Sequence, residues 1–293
     1  MTSIVQDLVN ALNLGSMYAL YALGISVVFG IMRLINFAHY SLILAGGYTM
    51  VLTGSWPLVL RVIATVAVCV ALAVLLELVA FRGARGASPT TLLITSFAVS
   101  FVIAAVAEFA FGSLPRSTTV SPWLRNSLTI GDVYIPRINL VTLVVTLVLL
   151  TALSLLLAKT TIGLQMRAAA EDFTTSRLLG VRANKVISLA FAISGVLAAA
   201  VAVLLLGTSG QVTPTFGLSA VLFGLIAAVA GGLDSLKGAV IGGFALGIAS
   251  QLLQRFLPLP LRPYRDAFLF LAVFVLLVVR PQGIVSRGSG ARV

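Results

Sequence analysis

The sequence predicts an all-α integral membrane protein, a polytopic bundle of eight or nine transmembrane helices with broken or re-entrant segments and a helix on the cytoplasmic side. Hydrophobic residues make up 60% of the 293 and charged residues only 9%, whereas soluble domains carry roughly 25% charged residues. Mean hydropathy is +1.13, and several apolar runs reach the ~20 residues that a spanning helix needs. We therefore treat residues 1–293 as one transmembrane domain that contains a polar connector, 159–185.

Each apolar run is assigned as one span. Two assignments stay open, because 34–53 contains several polar residues and glycines and can be a re-entrant or broken helix, while 217–233 is barely long enough. The predicted spans are 8–31, 34–53, 57–80, 89–111, 138–158, 186–207, 217–233, 239–257 and 266–280.

Composition excludes several classes of function. The net charge of +11 comes from Lys and Arg scattered among the spans, so we predict no nucleic-acid partner. Cys69 lies in the middle of a span and is interpreted as a small hydrophobe. His39 has no Cys, Asp or Glu close in sequence, so we predict neither a metal site nor a proton switch there. We also expect no catalytic residue and no cofactor. No Lys or Arg precedes Arg33, and we expect the N-terminus to be retained.

Orientation follows from the positive charges, which are held on the cytoplasmic side during insertion. Nine alternating spans with the N-terminus outside and the C-terminus inside place 12 of the 19 basic residues in the cytoplasm. The connector 159–185 is then cytoplasmic, and the loop 112–137 is outside. We expect a multi-pass protein of a bacterial cytoplasmic membrane, in contact with membrane lipid.

Polar residues within spans mark faces that avoid lipid. Those of the first two spans are the candidates for lining an interior pathway, although side chains of this kind also join helices through hydrogen bonds. The charged residues Arg61, Glu77, Glu108 and Arg255 lie near predicted span boundaries, where we expect them to reach the headgroups. The candidate pathway residues are Asn13, Ser16, Tyr18, Asn36, His39 and Tyr40.

Glycines of the later spans predict close helix packing. Gly238 with Gly242, and Gly243 with Gly247, form two GxxxG pairs in consecutive register. Small residues at this spacing allow two helix backbones to approach each other closely. The primary expectation is therefore packing.

The connector contains a stretch, Gln165 to Leu179, that is rich in helix-forming residues, and Gly180 stands where a left-handed C-cap would end the helix. Its apolar residues do not form a single stripe, so a membrane-surface helix is not indicated. The run Ala168–Ala170, flanked by charge, can seat in a groove of another subunit. An ordinary solvated helix explains the same residues equally well.

Four blocks of the sequence resemble the permease subunit of branched-chain amino acid ABC importers, of the LivH type, in order and spacing. The blocks are Leu14–Tyr48, Thr161–Leu197, Val229–Gly243 and Arg280–Gly283, with the last reading RPQG. The resemblance covers nearly the whole chain.

This resemblance implies a set of partners and a mechanism. The partners are a second permease subunit, identical or related, two cytoplasmic ATPase subunits and an extracytoplasmic substrate-binding protein. Alternating access is driven by the ATPase, and no Walker A pattern occurs in this sequence. The cytoplasmic loop that docks on the ATPase corresponds to the block around Arg167, Ala168, Glu171, Asp172, Leu179 and Gly180.

Two departures from the family pattern bear on the cargo. Tyr40 follows the NFAH motif where the family commonly has Gly, and Asp234 and Lys237 replace a Gly and a Pro in a predicted turn. The alternatives to branched-chain amino acids are urea, short amides or other amino acids. An ion-coupled secondary transporter or a channel shares the composition but needs no docking loop.

Overall fold

The computed structural model describes residues 2–84, 87–171, 173–233 and 235–285, so the predicted sites at Asp172 and Asp234 lie outside the described residues. The long helices follow the predicted spans closely. In chain order the helices are α1 (Thr2–Met32), α2 (His39–Leu52), α3 (Leu58–Leu76) with a π-helical turn (Glu77–Phe81), α4 (Pro89–Phe111), α5 (Arg137–Lys159), α6 (Thr161–Glu171), α7 (Phe173–Leu178), α8 (Ala183–Ser209), α9 (Leu218–Gly231), α10 (Leu236–Phe256) and α11 (Arg265–Val279).

The predicted all-α membrane class is confirmed, and all nine predicted spans contain a helix. Six helices are long and apolar enough to cross a membrane: α1, α3 with its π turn, α4, α5, α8 and α10. Helices α2 and α9 have 14 residues each and α11 has 15. At about 1.5 Å per residue these three are shorter than the ~30 Å hydrocarbon core. A count of eight or nine spans thus depends on how these short helices sit in the bilayer.

The second predicted span, 34–53, begins later than expected. Arg33 has φ 53°, a left-handed conformation that ends the run of α1, and residues 33–36 are irregular before α2 begins at His39. The side-chain oxygen of Asn36 accepts a hydrogen bond from the Ala38 amide at 3.0 Å, in the manner of an Asx turn. Helix α2 is therefore short, and most of its residues are buried among neighbouring helices.

Two helices form the centre of the bundle. In the 18-residue apolar stretch of α1, 78% of the residues are buried inside the protein, and in that of α8 the buried share is 61%. The corresponding values for α3, α4 and α5 are 28%, 22% and 17%. Helix α1 packs against α5, α8, α9 and α10, whereas α3 and α4 lie at the periphery. The outer helices therefore present their apolar side chains to lipid.

The two GxxxG pairs of α10 lie against two different helices. A Cβ at Gly243 would lie 2.8 Å from the Tyr18 carbonyl carbon, and one at Gly247 would lie 2.9 Å from that of Leu14. A Cβ at Gly238 would lie 2.5 Å from the Gly231 oxygen, and Gly242 also faces α9. Because the atoms approached belong to backbone, these contacts have no room for a side chain.

The expectation that Arg61 and Glu77 reach the headgroups is wrong. Arg61 is buried and donates hydrogen bonds to the carbonyls of Met50 at 2.9 Å and Thr119 at 3.0 Å. Glu77 is fully buried, accepts from the Ser188 hydroxyl at 2.6 Å and lies 3.5 Å from Arg82 Nε. Position near the end of a span did not distinguish a buried, hydrogen-bonded charge from an exposed one. Glu108, by contrast, is exposed.

The loop between α4 and α5 is partly ordered by strands. Strands β2 (Ser127–Ile130) and β3 (Val133–Pro136) form an antiparallel hairpin, with Ser127 opposite Pro136. Strand β1 (Arg116–Ser117) pairs antiparallel with β4 (Gln211–Val212), which follows α8. Short 3-10 helices lie at Pro122–Arg125 and Leu259–Tyr264. We call this end of the bundle, which also holds the start of α1, the hairpin end, and the opposite one the connector end.

Candidate translocation pathway and coupling surface

Polar residues of α1 form a stripe that runs inward from the hairpin end. Gln6, Asn10, Asn13 and Ser16 recur at spacings of three or four residues, which places them on one helix face. The Gln6 amide contacts Asn10 at 3.2 Å and exchanges hydrogen bonds with the backbone of Tyr134 in β3. The stripe therefore lies beneath the β2–β3 hairpin.

The same stripe continues toward α5. The Ser16 hydroxyl donates to the Asn13 carbonyl at 2.8 Å, and the Thr146 hydroxyl of α5 donates to the Ser16 carbonyl at 3.3 Å. The side-chain oxygen of Asn13 is buried and has no hydrogen-bond partner among the described residues. A buried carbonyl oxygen without a partner is costly, so this atom is available to a passing polar ligand or water.

His39 occupies a different junction, between α1, α2 and α8. Its Nδ1 lies 3.0 Å from the Ser194 hydroxyl, which in turn donates to the Gly24 carbonyl at 2.9 Å. Because the Ser194 hydroxyl donates its proton to the Gly24 carbonyl, it accepts from His39 Nδ1–H. The other ring nitrogen of His39, Nε2, is then an acceptor. A Cβ at Gly24 would lie 2.6 Å from His39 Cε1, so glycine makes room for the ring. Asn36 is also buried, and its side-chain oxygen accepts from the Ala38 amide just before α2 begins.

The two tyrosines point to other parts of the bundle. Tyr18 stacks on Phe223 of α9 with ring centroids 4.9 Å apart. The Tyr40 hydroxyl donates to the carbonyl of Pro214, in the loop between β4 and α9. Tyr40 thus ties the first turn of α2 to that loop, which a glycine at this position could not do.

The six predicted pathway residues therefore do not converge on one cavity within this chain. Asn13 and Ser16 share the α1 stripe, and Asn36 and His39 share the start of α2. Tyr18 and Tyr40 make separate contacts. The stripe is the arrangement best suited to line a path, because its polar side chains share one face of α1 and extend inward from the hairpin end.

A second polar cluster, which the sequence did not single out, lies at the hairpin end between α1 and α10. Asp7 forms an ion pair with Arg255 and accepts a hydrogen bond from Gln251 at 2.9 Å. These residues, with Gln254 and Arg262, line a cavity of about 350 Å³. The cluster joins the start of α1 to the end of α10, which are more than 200 residues apart in sequence. No sequence motif indicates this pairing.

The connector folds against the other end of the bundle. Helix α6 buries Gly163, Met166 and Ala169 along one face. A Cβ at Gly163 would lie 2.5 Å from the Leu157 Cα, so α6 turns back closely onto the end of α5. Arg167 donates to the Leu157 carbonyl. Ala169, the central residue of the run Ala168–Ala170, faces inward and is buried. The run therefore packs against the bundle and does not form a smooth outward patch.

The outward surface of the connector is formed by other residues. Glu171 is exposed, and Ala168 is half-buried. Leu178 and Leu179 are 84% and 81% exposed, which is unusual for leucines beyond the spanning helices. Gly180 has φ 87°, the left-handed conformation that the sequence predicted for this C-cap. The connector thus presents two leucines and a turn to its surroundings.

Comparison with known proteins bears on these surfaces. The family described as branched-chain amino acid transport system / permease component matches residues 8–279. The permease protein BraD of a high-affinity branched-chain amino acid transport system in Pseudomonas aeruginosa is 32% identical over 296 residues, covering 96% of this chain and 95% of that protein. The corresponding LivH protein of Escherichia coli K12 is 31% identical with the same coverage of both chains.

A more distant similarity extends over part of the chain. The autoinducer 2 import system permease protein LsrC of Photorhabdus luminescens is 29% identical over 136 residues, which is 44% of this chain and 41% of that protein. The family match, by contrast, extends from within α1 to the end of α11. This chain belongs to the family of permease components of branched-chain amino acid transport systems.

Proposed function

We propose that this chain is the non-catalytic, membrane-spanning subunit of an ABC importer that moves branched-chain or related amino acids inward by alternating access. The observation that carries the proposal is the exposed pair Leu178 and Leu179 beside the left-handed Gly180, at the end of a bundle whose family is a transport permease. Exposed apolar residues beyond the spans are typical of a protein interface. The sequence has no Walker A motif, so ATP hydrolysis belongs to another chain.

The proposed assembly contains two permease subunits, two cytoplasmic ATPase subunits and an extracytoplasmic substrate-binding protein in a bacterial cytoplasmic membrane. The connector end faces the cytoplasm, which follows from the distribution of Lys and Arg. Closure of the ATPase pair moves the connector, and the bundle then exposes its pathway to the opposite side. The proposed coupling residues of the connector are Arg167, Ala168, Glu171, Asp172, Leu179 and Gly180.

The proposed cargo is a branched-chain amino acid, because relatives that match over 95% of their length are named for that transport. The partial similarity to an autoinducer 2 permease supports the alternative that this architecture carries other small polar molecules. Urea, short amides and other amino acids therefore belong in the same assay.

Uptake into vesicles tests the proposal. The chain is reconstituted with its partner ATPase and binding protein, and uptake of labelled leucine, isoleucine, valine, urea and acetamide is measured. We expect leucine-type uptake only when both ATPase and ATP are present. Uptake that persists without the ATPase and follows an ion gradient would instead establish a secondary transporter. ATP-dependent uptake of urea or acetamide, without uptake of the amino acids, would show that the proposed cargo is wrong.

The lining of the pathway has its own test, which starts from a variant without cysteine. Cys69 is buried and is the only cysteine, so Cys69→Ala gives this background. Asn13→Cys is then expected to react with a membrane-impermeant thiosulfonate many times faster than Val148→Cys, because thiolates form only in contact with water. Val148 is a matched control, since it is 59% exposed on the lipid-facing helix α5.

The rate at Asn13→Cys should also change when ATP is added to the assembled importer. Equal, slow labelling at both positions with and without ATP would show that the α1 stripe does not line the path. The remaining candidates, Ser16, Tyr18, Asn36, His39 and Tyr40, are tested in the same background.

A further inference from the structure

A shallow cavity of about 340 Å³, largely open to its surroundings, lies at the connector end, between the end of α3 and the start of α8. None of its residues belongs to the proposed pathway or coupling surface. It is lined by Arg82, Asn184, Lys185, Ser188, Leu189 and Ala192.

The lining changes from charged to apolar along the helix axis. Lys185, Ser188, Leu189 and Ala192 follow the spacing of one face of α8. From Lys185 to Ala192 the helix rises by about 10 Å. Basic and polar groups therefore lie at the mouth of the cavity, which is its side nearest the connector. The apolar side chains of Leu189 and Ala192 lie further along α8, toward the middle of the membrane region. A molecule with an anionic head and an apolar tail matches this gradient.

The charges at the mouth favour an anion. The carboxylate of Glu77 already accepts from the Ser188 hydroxyl and contacts Arg82 through Nε. A guanidinium carries five N–H donors, so Arg82 retains donors for a second acceptor. The Arg82 side chain is 44% exposed, and Lys185 is exposed as well. Among the described residues of this site, two cations accompany one buried carboxylate, which favours an anionic ligand.

The surroundings of the cavity favour lipid over water. Leu78 and Val79, on the π turn directly before Arg82, are 41% and 75% exposed, and they lie on a helix whose apolar window is only 28% buried. This side of the bundle therefore faces hydrocarbon up to the level of Arg82. Basic pockets between membrane helices at this depth bind the headgroups of acidic lipids.

We propose that this cavity binds one anionic glycerophospholipid of the leaflet at the connector end. Arg82 and Lys185 contact its phosphate, Asn184 and Ser188 contact its polar headgroup and ester region, and an acyl chain follows Leu189 and Ala192. The site adjoins the start of α8, so the lipid holds α8 against the end of α3. The proposal does not depend on the cargo or on the partner ATPase.

Native mass spectrometry of the full chain tests this assignment. The protein is purified from mixed phosphatidylglycerol and phosphatidylcholine vesicles, and the fraction that retains phosphatidylglycerol is measured. Lys185→Gln should lower retention about fivefold, and Arg82→Gln with Lys185→Gln should lower it further. Lys237→Gln is the matched control, because Lys237 is an exposed lysine in the first turn of α10, away from the cavity.

A second variant separates a lipid from a free phosphate. Ala192→Phe fills the apolar part of the cavity and leaves both cations in place, so it should displace phosphatidylglycerol without affecting binding of inorganic phosphate. Wild-type retention in both Lys185→Gln and Ala192→Phe would overturn the proposal. Binding of inorganic phosphate that depends on Lys185, together with phosphatidylglycerol retention that does not depend on Ala192, would also overturn it and assign the site to a free anion.

Discussion

Replacing Gly247 with leucine should prevent the bundle from folding stably, because the new side chain would enter the closest contact between α1 and α10. A Cβ at Gly247 would already lie 2.9 Å from the Leu14 carbonyl carbon and closer still to Gly15. Backbone atoms of a central helix cannot move aside as a flexible side chain can. The free energy of unfolding should fall by about 3 kcal/mol or more, at the upper end of the usual cost of overpacking.

Thermal unfolding of the detergent-purified protein, followed by size-exclusion chromatography, measures this effect. Gly30→Leu is the matched control, because Gly30 lies in α1 and a Cβ there meets no atom within 4 Å. Gly247→Ala should have an intermediate effect. If Gly247→Leu melts at the same temperature as Gly30→Leu, the close approach of α1 and α10 is wrong.

The second large effect is expected at the connector, where Gly180→Val should separate ATP hydrolysis from transport. Gly180 has φ 87°, a conformation in which a β-branched residue costs about 1–3 kcal/mol. The turn after α7 would relax and move Leu178 and Leu179, which are the most exposed large hydrophobic residues of the connector. We expect uptake to be lost while the spans remain inserted and the ATPase either hydrolyses ATP without transport or fails to bind.

Conservative variants at the same positions distinguish docking from general damage. Gly180→Asn should retain uptake, because asparagine tolerates the left-handed conformation. Glu171→Lys reverses an exposed charge at the proposed rim and should impair coupling, whereas Glu171→Gln should have a weaker effect. Uptake and co-purification with the ATPase are measured for all four. Normal values for Gly180→Val or Glu171→Lys would contradict the docking assignment.

The long helices could be predicted because their ends have local signals. The predicted span 89–111 matches α4 (Pro89–Phe111). Ser88 caps this helix by accepting from the Thr91 amide at 3.2 Å, Pro89 occupies its first turn, and Gly112 ends it with φ 80°. These features act within a few residues of the boundary, so one sequence contains them.

Helix α2 was harder to place, because its start depends on tertiary contacts. His39 contacts Ser194 of α8, and Tyr40 donates to Pro214 in the loop before α9. A hydropathy pattern averages over such residues and extends the span back to residue 34. The burial of Arg61 had the same origin, since its acceptors at Thr119 and Val120 belong to a loop almost 60 residues away.

The candidate site, like the helices, was predictable only where its contacts are local in sequence. The spacing of Asn13 and Ser16 indicated one face of α1, and hydrogen bonding on that face is local. The ion pair of Asp7 with Arg255 joins residues 248 positions apart, and a single sequence does not indicate which opposite charges meet. In the connector, the family resemblance indicated Leu179, but the exposure of Leu178 and Leu179 was not predicted.

Helix α8 has a mechanical consequence for the whole molecule. It begins at Ala183, within the last residues of the connector, passes through the centre of the bundle and ends at Ser209, just before β4, which pairs with β1. Its 27 residues give a rod of about 40 Å, with no loop along its length. Under the proposed mechanism, a displacement at the connector end would be carried along this one helix to β4, and through the pairing of β4 with β1 to the segment that precedes the β2–β3 hairpin.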